Sequence, residues 1–323
     1  MYRKNRDKMD ERAAQCINCH VCQENCVFLG KYKIDIGDRE QLKKLAYHCF
    51  LCGTCTSGCP QGIDGRKIIL DIRRDLGPGK GYKLLLAEKK DYLFRNYRHI
   101  AGESVLFPGC NFPSFYPWTT KRLVKLLQEK AGMGVVYDCC GKPIAELGME
   151  RQEEKIIRGI EKRLKEHGVR QLVMVCPNCY HFLKPRLSVQ VVDIYEKLEE
   201  LGMGHEIVGK HPVFLPCPDK ESRELLGHIQ AFTEEEFVPL ADTQCCGLGG
   251  CAGVREPELA RQLARKAAIG TNGPVYVYCG SCAGNLRRNG CTDVRHVLTE
   301  ILGTDERPDT GRSMVNRIKT KFW

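Results

Sequence analysis

Two runs of Cys-x2-Cys-x2-Cys-x3-Cys open the chain: Cys16, Cys19, Cys22 and Cys26, then Cys49, Cys52, Cys55 and Cys59, the last followed by Pro60. Three thiolates at this spacing curl around three corners of a four-iron cube, and the fourth corner must come from a more distant residue. The pattern predicts one cubane on Cys16, Cys19, Cys22 and Cys59 and a second on Cys49, Cys52, Cys55 and Cys26. Such a pair moves single electrons and performs no bond chemistry itself. Val27 stands where the first run would carry a proline, which affects the turn more than the ligation. Two four-cysteine zinc sites are the competing reading, but zinc ribbons use two Cys-x2-Cys pairs and would leave other cysteines idle.

Ten more cysteines form a second register that occurs twice. Cys110, Cys139-Cys140-Gly141 and Cys176-x2-Cys179 make the first copy; Cys217, Cys245-Cys246-Gly247 and Cys279-x2-Cys282 make the second. Adjacent thiolates point in different directions, so one metal ion is hard to satisfy with both, whereas a larger inorganic cluster can bridge them. Five cysteines per copy also exceed the four ligands of tetrahedral zinc. Zinc with a spare thiol and a redox-active disulfide at either Cys-x-x-Cys stay open beside a four-iron centre in each half.

The elements that must position these thiols follow from the apolar pattern. Residues 1–76 read as one unit in which Arg39 to His48 is a short helix joining two cysteine loops, with little core of its own and a dependence on metal for folding. Residues 77–104 begin with the breaker cluster Gly77-Pro78-Gly79-Lys80-Gly81 and continue as a linker and packing helix with Leu84, Leu85, Leu86, Leu93 and Phe94. Two α/β units are then expected over 105–209 and 210–323. In the first, strands lead into Cys110, Cys139 and Cys176, with helices over Leu123–Lys130, Arg151–His167 and Val191–Leu201. In the second, Val213–Leu215 and Val275–Tyr278 are strands ending at cysteines, and Pro257–Ile269 is a helix. The closing segments Asp193–Leu198 and Asp293–Leu298 correspond. Cys110 to Cys217, Cys139 to Cys245 and Cys176 to Cys279 are 107, 106 and 103 residues apart, which is an internal duplication read from spacing. Parallel strands carrying ligands at their carboxyl ends are the expected layout. The tail from about Gly303 to Trp323, polar and basic with an apolar end, reads as mobile or as a docking segment for a partner.

Composition excludes several functions. No run of 18 apolar residues exists, and the opening MYRKNRDKMDER has no apolar stretch behind it, which argues against export and membrane spanning and for a cytoplasmic protein, with peripheral association to a membrane complex open. Fifty Lys and Arg against 40 Asp and Glu give +10, but the cations are interleaved with acids and gather into no stripe, so a nucleic-acid partner is not expected. Metal-bound thiolates would offset much of that charge.

The run Pro108-Gly109-Cys110, Cys139-Cys140-Gly141, Cys176-Pro177-Asn178-Cys179 and its second copy resemble the tandem CCG-domain family of heterodisulfide reductase catalytic subunits. The eight-cysteine unit before them resembles that enzyme's ferredoxin-type subunit, fused to it. The resemblance covers residues from about 10 to 302. It implies an α/β fold: a helical N-terminal two-[4Fe-4S] ferredoxin-like domain, then two pseudo-twofold related CCG domains with parallel sheets. It also implies two non-cubane four-iron clusters, one on Cys110, Cys139, Cys140, Cys176 and Cys179, the other on Cys217, Cys245, Cys246, Cys279 and Cys282. A disulfide, or a similar small sulfur substrate, would be cleaved between them, with electrons from a flavoprotein or iron–sulfur partner. Relatives in the same family serve as iron–sulfur subunits of lactate, glycolate and glycerol-3-phosphate dehydrogenases. An electron conduit for such a flavin enzyme is therefore the rival reading, and a zinc-stabilised interaction protein a second.

Other residues carry weaker signals. Gly247-Leu248-Gly249-Gly250-Cys251-Ala252 matches a dinucleotide-binding run but follows a cysteine pair, and glycines that let backbone approach a cluster explain it better. Cys251 could line a cluster pocket, and Cys291 reads as a surface or packing thiol. His181 could give a proton to a product thiolate or simply pack; Lys142 and Lys184 could place charge near an anionic site or be solvated.

Overall fold

The apolar runs that precede the cysteines form the strands of two sheets. A computed structural model describes residues 13–268 and 273–323. The charged opening stretch and the last residue of the expected Pro257–Ile269 helix lie outside that range. The first sheet comprises β1 (Asn96–His99), β2 (Ser104–Phe107), β3 (Gly134–Tyr137), β4 (Gln171–Met174) and β5 (Gln190–Asp193), in the order β1-β3-β2-β4-β5. β1 runs antiparallel to β3, and the other pairs are parallel. The second comprises β6 (Pro212–Phe214), β7 (Val238–Pro239), β8 (Val275–Val277) and β9 (Val294–His296), all parallel, in the order β7-β6-β8-β9. Without β1 the two sheets have the same order of corresponding strands. In each, the winding direction reverses beside the first strand, where open α/β sheets gather ligands at the strand ends.

Strands such as Val105-Leu106-Phe107 and Val275-Tyr276-Val277 are buried on both faces, as helix-covered parallel strands must be. One continuous core runs through both sheets, including Phe107, Phe112, Tyr116, Val173, Tyr195, Phe214, Val277 and Leu298.

The N-terminal unit is helical: Val21–Asn25, Val27–Tyr32, Arg39–Leu45 with a 3-10 turn Ala46–His48, Thr54–Ser57 and Gly65–Leu76. Asp38 and Asp64 cap the third and last of these, accepting from Gln41 N and Lys67 N. Its core is larger than the sequence suggests. Phe28, Leu29, Ile34, Ile36, Leu42, Phe50, Ile63, Ile68 and Ile72 pack together and extend onto Ala252, Leu259 and Leu263 of the second α/β unit.

Three expectations need correction. Val191–Leu201 is not one helix: its first residues are β5, and the helix is Ile194–Glu200. The same holds for Asp293–Leu298, which splits into β9 and the helix Val297–Ile301. Asp193 therefore corresponds to His296, not to Asp293. Each ends its strand and accepts hydrogen bonds from the first turn of the following helix. β1 was not foreseen in the linker segment, where the helix Lys83–Lys89 is present.

The tail is not loose. Its helix Ser313–Lys319 turns polar residues inward: Ser313, Asn316 and Thr320 are buried, Ser114 Oγ donates to Ser313 O, and Asn316 Nδ2 donates to Ser114 O. Asn96 Nδ2 holds the Thr320 and Trp323 carbonyls, and Trp323 meets Tyr137 edge-on. Met314, Val315, Ile318 and Phe322 face outward. A surface helix ordinarily turns its apolar stripe inward; this one is inverted, and hydrogen bonds instead of apolar burial seat it. Among the described residues no helix is long and apolar enough to cross a membrane.

Candidate functional site

Cys110, Cys176, Cys217 and Cys279 lie two or three residues beyond the carboxyl ends of β2, β4, β6 and β8, and the Cys-Cys pairs follow β3 and β7. Cys176 and Cys279 stand at the N-caps of the helices Pro177–Leu183 and Gly280–Arg288, with Cys179 and Cys282 in the first turns. A helix N-terminus favours the thiolate over the thiol. Gly141 and Gly247 complete the turn after each Cys-Cys pair at φ of +88° and +81°. A side chain there would also strike Ile156 in one copy and the Ala260 backbone in the other, so both turns require glycine.

The first set of five is drawn into one group. Cys110 lies within hydrogen-bond reach of Cys139, Cys139 of Cys140, Cys140 of Cys179, and Cys179 of Cys176. In the second set Cys246 meets Cys282, which meets Cys279, and Cys217 meets Cys245. Two contacts carry the sulfur line onward: Cys176 to Cys279 between the α/β units, and Cys245 to Cys52 in the N-terminal unit. Asn178, inside one Cys-x-x-Cys, donates to Cys279 Sγ at 3.4 Å, and Asn111, beside Cys110, donates to Ser281 Oγ at 2.6 Å inside the other.

In the N-terminal unit Cys16, Cys19, Cys22 and Cys59 line one cavity with His20, Asp35 and Ile63. Cys26, Cys49, Cys52 and Cys55 form a separate buried group close enough to raise one another's pKa. Those are the two foursomes the spacing predicts. Gln244 bridges the second foursome to the loop before Cys245: its Nε2 donates to Cys26 and Cys52 Sγ, and its Oε1 accepts from Val27 N at 3.0 Å.

None of the twenty cysteines is in a disulfide. Burial pushes Cys22 and Cys49 up to about 12. Hydrogen bonds from neighbouring thiols, Cys139 first, pull Cys140 down to about 5. In the same way Cys245 lowers Cys52 and Cys176 lowers Cys279. Neighbouring protein groups thus favour the thiolate at Cys140, Cys52 and Cys279, and a bound cation would favour ionisation of the buried sulfurs around them.

The surroundings fit such a group. Arg73 is fully buried, and its five N–H groups all go to carbonyls: Ala46 O twice, Cys49 O at 2.7 Å, Glu146 O and Gly250 O. Among the described residues no carboxylate pairs with it, so its charge needs an anion, and the Cys26, Cys49, Cys52, Cys55 group lies beside it. Around Cys279 three buried polar atoms lack partners among the described residues: Tyr116 Oη, Tyr195 Oη and His296 Nε2. Burial holds His296 down to about 3, and its Nδ1 accepts from Leu298 N, so Nε2 carries the hydrogen.

The remaining candidates sort by contact. His181 pairs with buried Asp219 at 2.9 Å across the two α/β units, a packing role. Lys142 bonds Glu146 at 2.8 Å and Asn178 at 2.7 Å, near Cys140 and Cys217; Lys184 is spent on Glu224. Cys251 sits by Arg73, Glu146 and Lys142 outside both sulfur groups, and Cys291 is a buried packing thiol. The glycine run is a seat for backbone: a side chain on Gly250 would lie 2.5 Å from Cys49 O. Arg73, Gln244, Lys89 and Arg317 escaped sequence reasoning. Only Gln244, adjoining Cys245, carried a signal, since the others are scattered cations in charged helices.

The chain carries the cysteine-rich CCG domain twice, over residues 104–184 and 212–287. It is 25% identical over 306 residues to one of the subunits of the fumarate reductase (CoM/CoB) of Methanothermobacter marburgensis, a match covering 78% of this chain and 61% of that protein. An uncharacterised iron–sulfur protein of Methanocaldococcus jannaschii is 23% identical over 78% of this chain and 62% of its own length. The chain thus spans about three fifths of these relatives. The glycolate oxidase iron–sulfur subunit of Escherichia coli is 21% identical, with 87% of this chain and 91% of that protein covered.

Proposed function

We propose that the chain is an iron–sulfur redox subunit that takes single electrons from a partner and delivers them in pairs to a disulfide. In this reading residues 1–76 are a two-cluster ferredoxin-like domain, with cubanes on Cys16, Cys19, Cys22 and Cys59 and on Cys49, Cys52, Cys55 and Cys26. The CCG units at 105–209 and 210–323 are related by a pseudo-twofold. They hold non-cubane four-iron clusters on Cys110, Cys139, Cys140, Cys176 and Cys179 and on Cys217, Cys245, Cys246, Cys279 and Cys282. The bound clusters would supply one-electron steps and a thiophilic metal surface. The protein's part is to supply thiolates, exclude water and place donors such as Asn178 on the sulfurs. Cleaving the disulfide consumes two electrons and two protons and releases two thiols, the electrons coming from a flavoprotein or iron–sulfur partner.

The observation that supports this most is a pair of sulfur lines within one buried interior, one from Cys52 through Cys245 to Cys217 and one from Cys246 through Cys282, Cys279 and Cys176 to Cys110. Iron analysis of anaerobically prepared protein should give about sixteen atoms per chain if four four-iron groups are present. Reduced protein should then release thiols from an added disulfide. Zinc in place of iron would sink the proposal.

A second reading is an electron conduit for a flavin-dependent hydroxy-acid dehydrogenase, favoured by the near full-length match to the glycolate oxidase subunit. Rapid electron exchange with a flavoprotein, together with no cleavage of any disulfide, would select it. Either reading is consistent with a cytoplasmic protein.

A further inference from the structure

The first CCG set has a charge environment built by two segments outside the stretches 104–184 and 212–287 that match the CCG domain. Lys89 ends the helix Lys83–Lys89 of the connector, and Arg317 lies on the tail helix Ser313–Lys319. Both reach the same place. Arg317 Nη2 donates to Asn111 Oδ1 at 2.6 Å, next to Cys110, and its Nη1 donates to Glu88 Oε1 at 2.9 Å. Lys89 Nζ is 2.7 Å from the same Glu88 oxygen and is buried. Lys89 lies close to the Cys110 and Cys139 sulfurs, and Arg317 lies close to Cys110.

Counted by charge, two cations share one carboxylate, leaving a surplus of one positive charge in a dry interior. Asp138 does not cancel it, because Arg95 holds that carboxylate at 2.9 Å. Arg288 lies near Arg317 and adds to the surplus. The second set has its own cation, Lys220, whose Nζ is spent on the Thr243 and Gln244 carbonyls. A positive charge in low dielectric stabilises whichever state of a neighbouring group is more negative, and for a redox group that is the reduced state.

We propose that Lys89, Glu88 and Arg317 are positioning residues that set the reduction potential of the iron–sulfur group on Cys110 and Cys139, raising it so that electrons settle there. This rests on the iron–sulfur reading above. The test is a potentiometric titration, followed by electron paramagnetic resonance, of anaerobically prepared full-length protein and its variants. Lys89→Met and Arg317→Gln should each disfavour reduction of one centre by about tenfold, ~59 mV for a one-electron couple. Glu88→Gln, which is isosteric, should shift the same centre in the opposite direction, and Lys89→Arg should restore it. A merely structural role does not reverse sign with the charge removed. Unchanged potentials, or shifts of one sign in all variants with iron retained, would overturn the proposal. Absence of iron from the CCG units of the unaltered protein would instead overturn the iron–sulfur reading itself.

Discussion

At the scale of single residues, Gln244 does three jobs from one side chain. Its amide donates to two sulfurs of the N-terminal unit and accepts the Val27 N–H. Gln244→Leu keeps the volume and removes every one of these bonds, leaving the part-buried Val27 N–H unpaired at a cost of about 1 kcal/mol. A lower melting temperature with the second α/β unit still folded, followed by circular dichroism, is the expected outcome. The eighteen patterned cysteines were legible because spacing alone states their geometry. Gln244, Lys89 and Arg317 were not, because a buried cation or amide looks like a solvated one until the elements around it are placed.

At the scale of elements, the turns after the Cys-Cys pairs and the helices after the Cys-x-x-Cys motifs follow from local rules. The short strands β5 and β9 do not. Three or four residues running into a helix present no period of their own, so Val191–Leu201 reads as one helix when only its second part is. The contact that pins this corner is titratable. Burial opposes charge on His228, but Asp193, 2.5 Å away at the end of β5, outweighs it and raises the histidine above 6.5. A raised histidine contributes stability that is full below its unfolded pKa of about 6.5 and is lost as pH climbs through the folded value. Thermal stability should therefore fall as pH rises through that window, and His228→Gln should flatten this part of the curve. An unchanged slope in the variant would assign it to another group. The tail helix was misjudged for a related reason: its inward face is Ser313, Asn316 and Thr320, so hydrophobic patterning pointed the wrong way.

At the scale of the whole molecule, the duplication and the strand-to-cysteine order were readable from spacing, and the two sheets repeat one strand order. How the three units join was not readable, because joints are made by non-local hydrogen bonds. Arg73 is the clearest case, holding carbonyls of the N-terminal unit, of Glu146 in the first α/β unit and of Gly250 in the second. Arg73→Met would strand those acceptors without water, each worth about 1–3 kcal/mol. The expected result is a loss of more than ~3 kcal/mol in denaturant unfolding, with Arg73→Lys recovering only part, since an ammonium cannot span four carbonyls. Glu256 adds a second clasp, accepting from Lys31, Tyr32 and His48.

Cys52 and Cys245 lie buried on opposite sides of the joint that Gln244 and Arg73 close. Whatever inorganic cargo settles there must arrive while the two pieces stand apart.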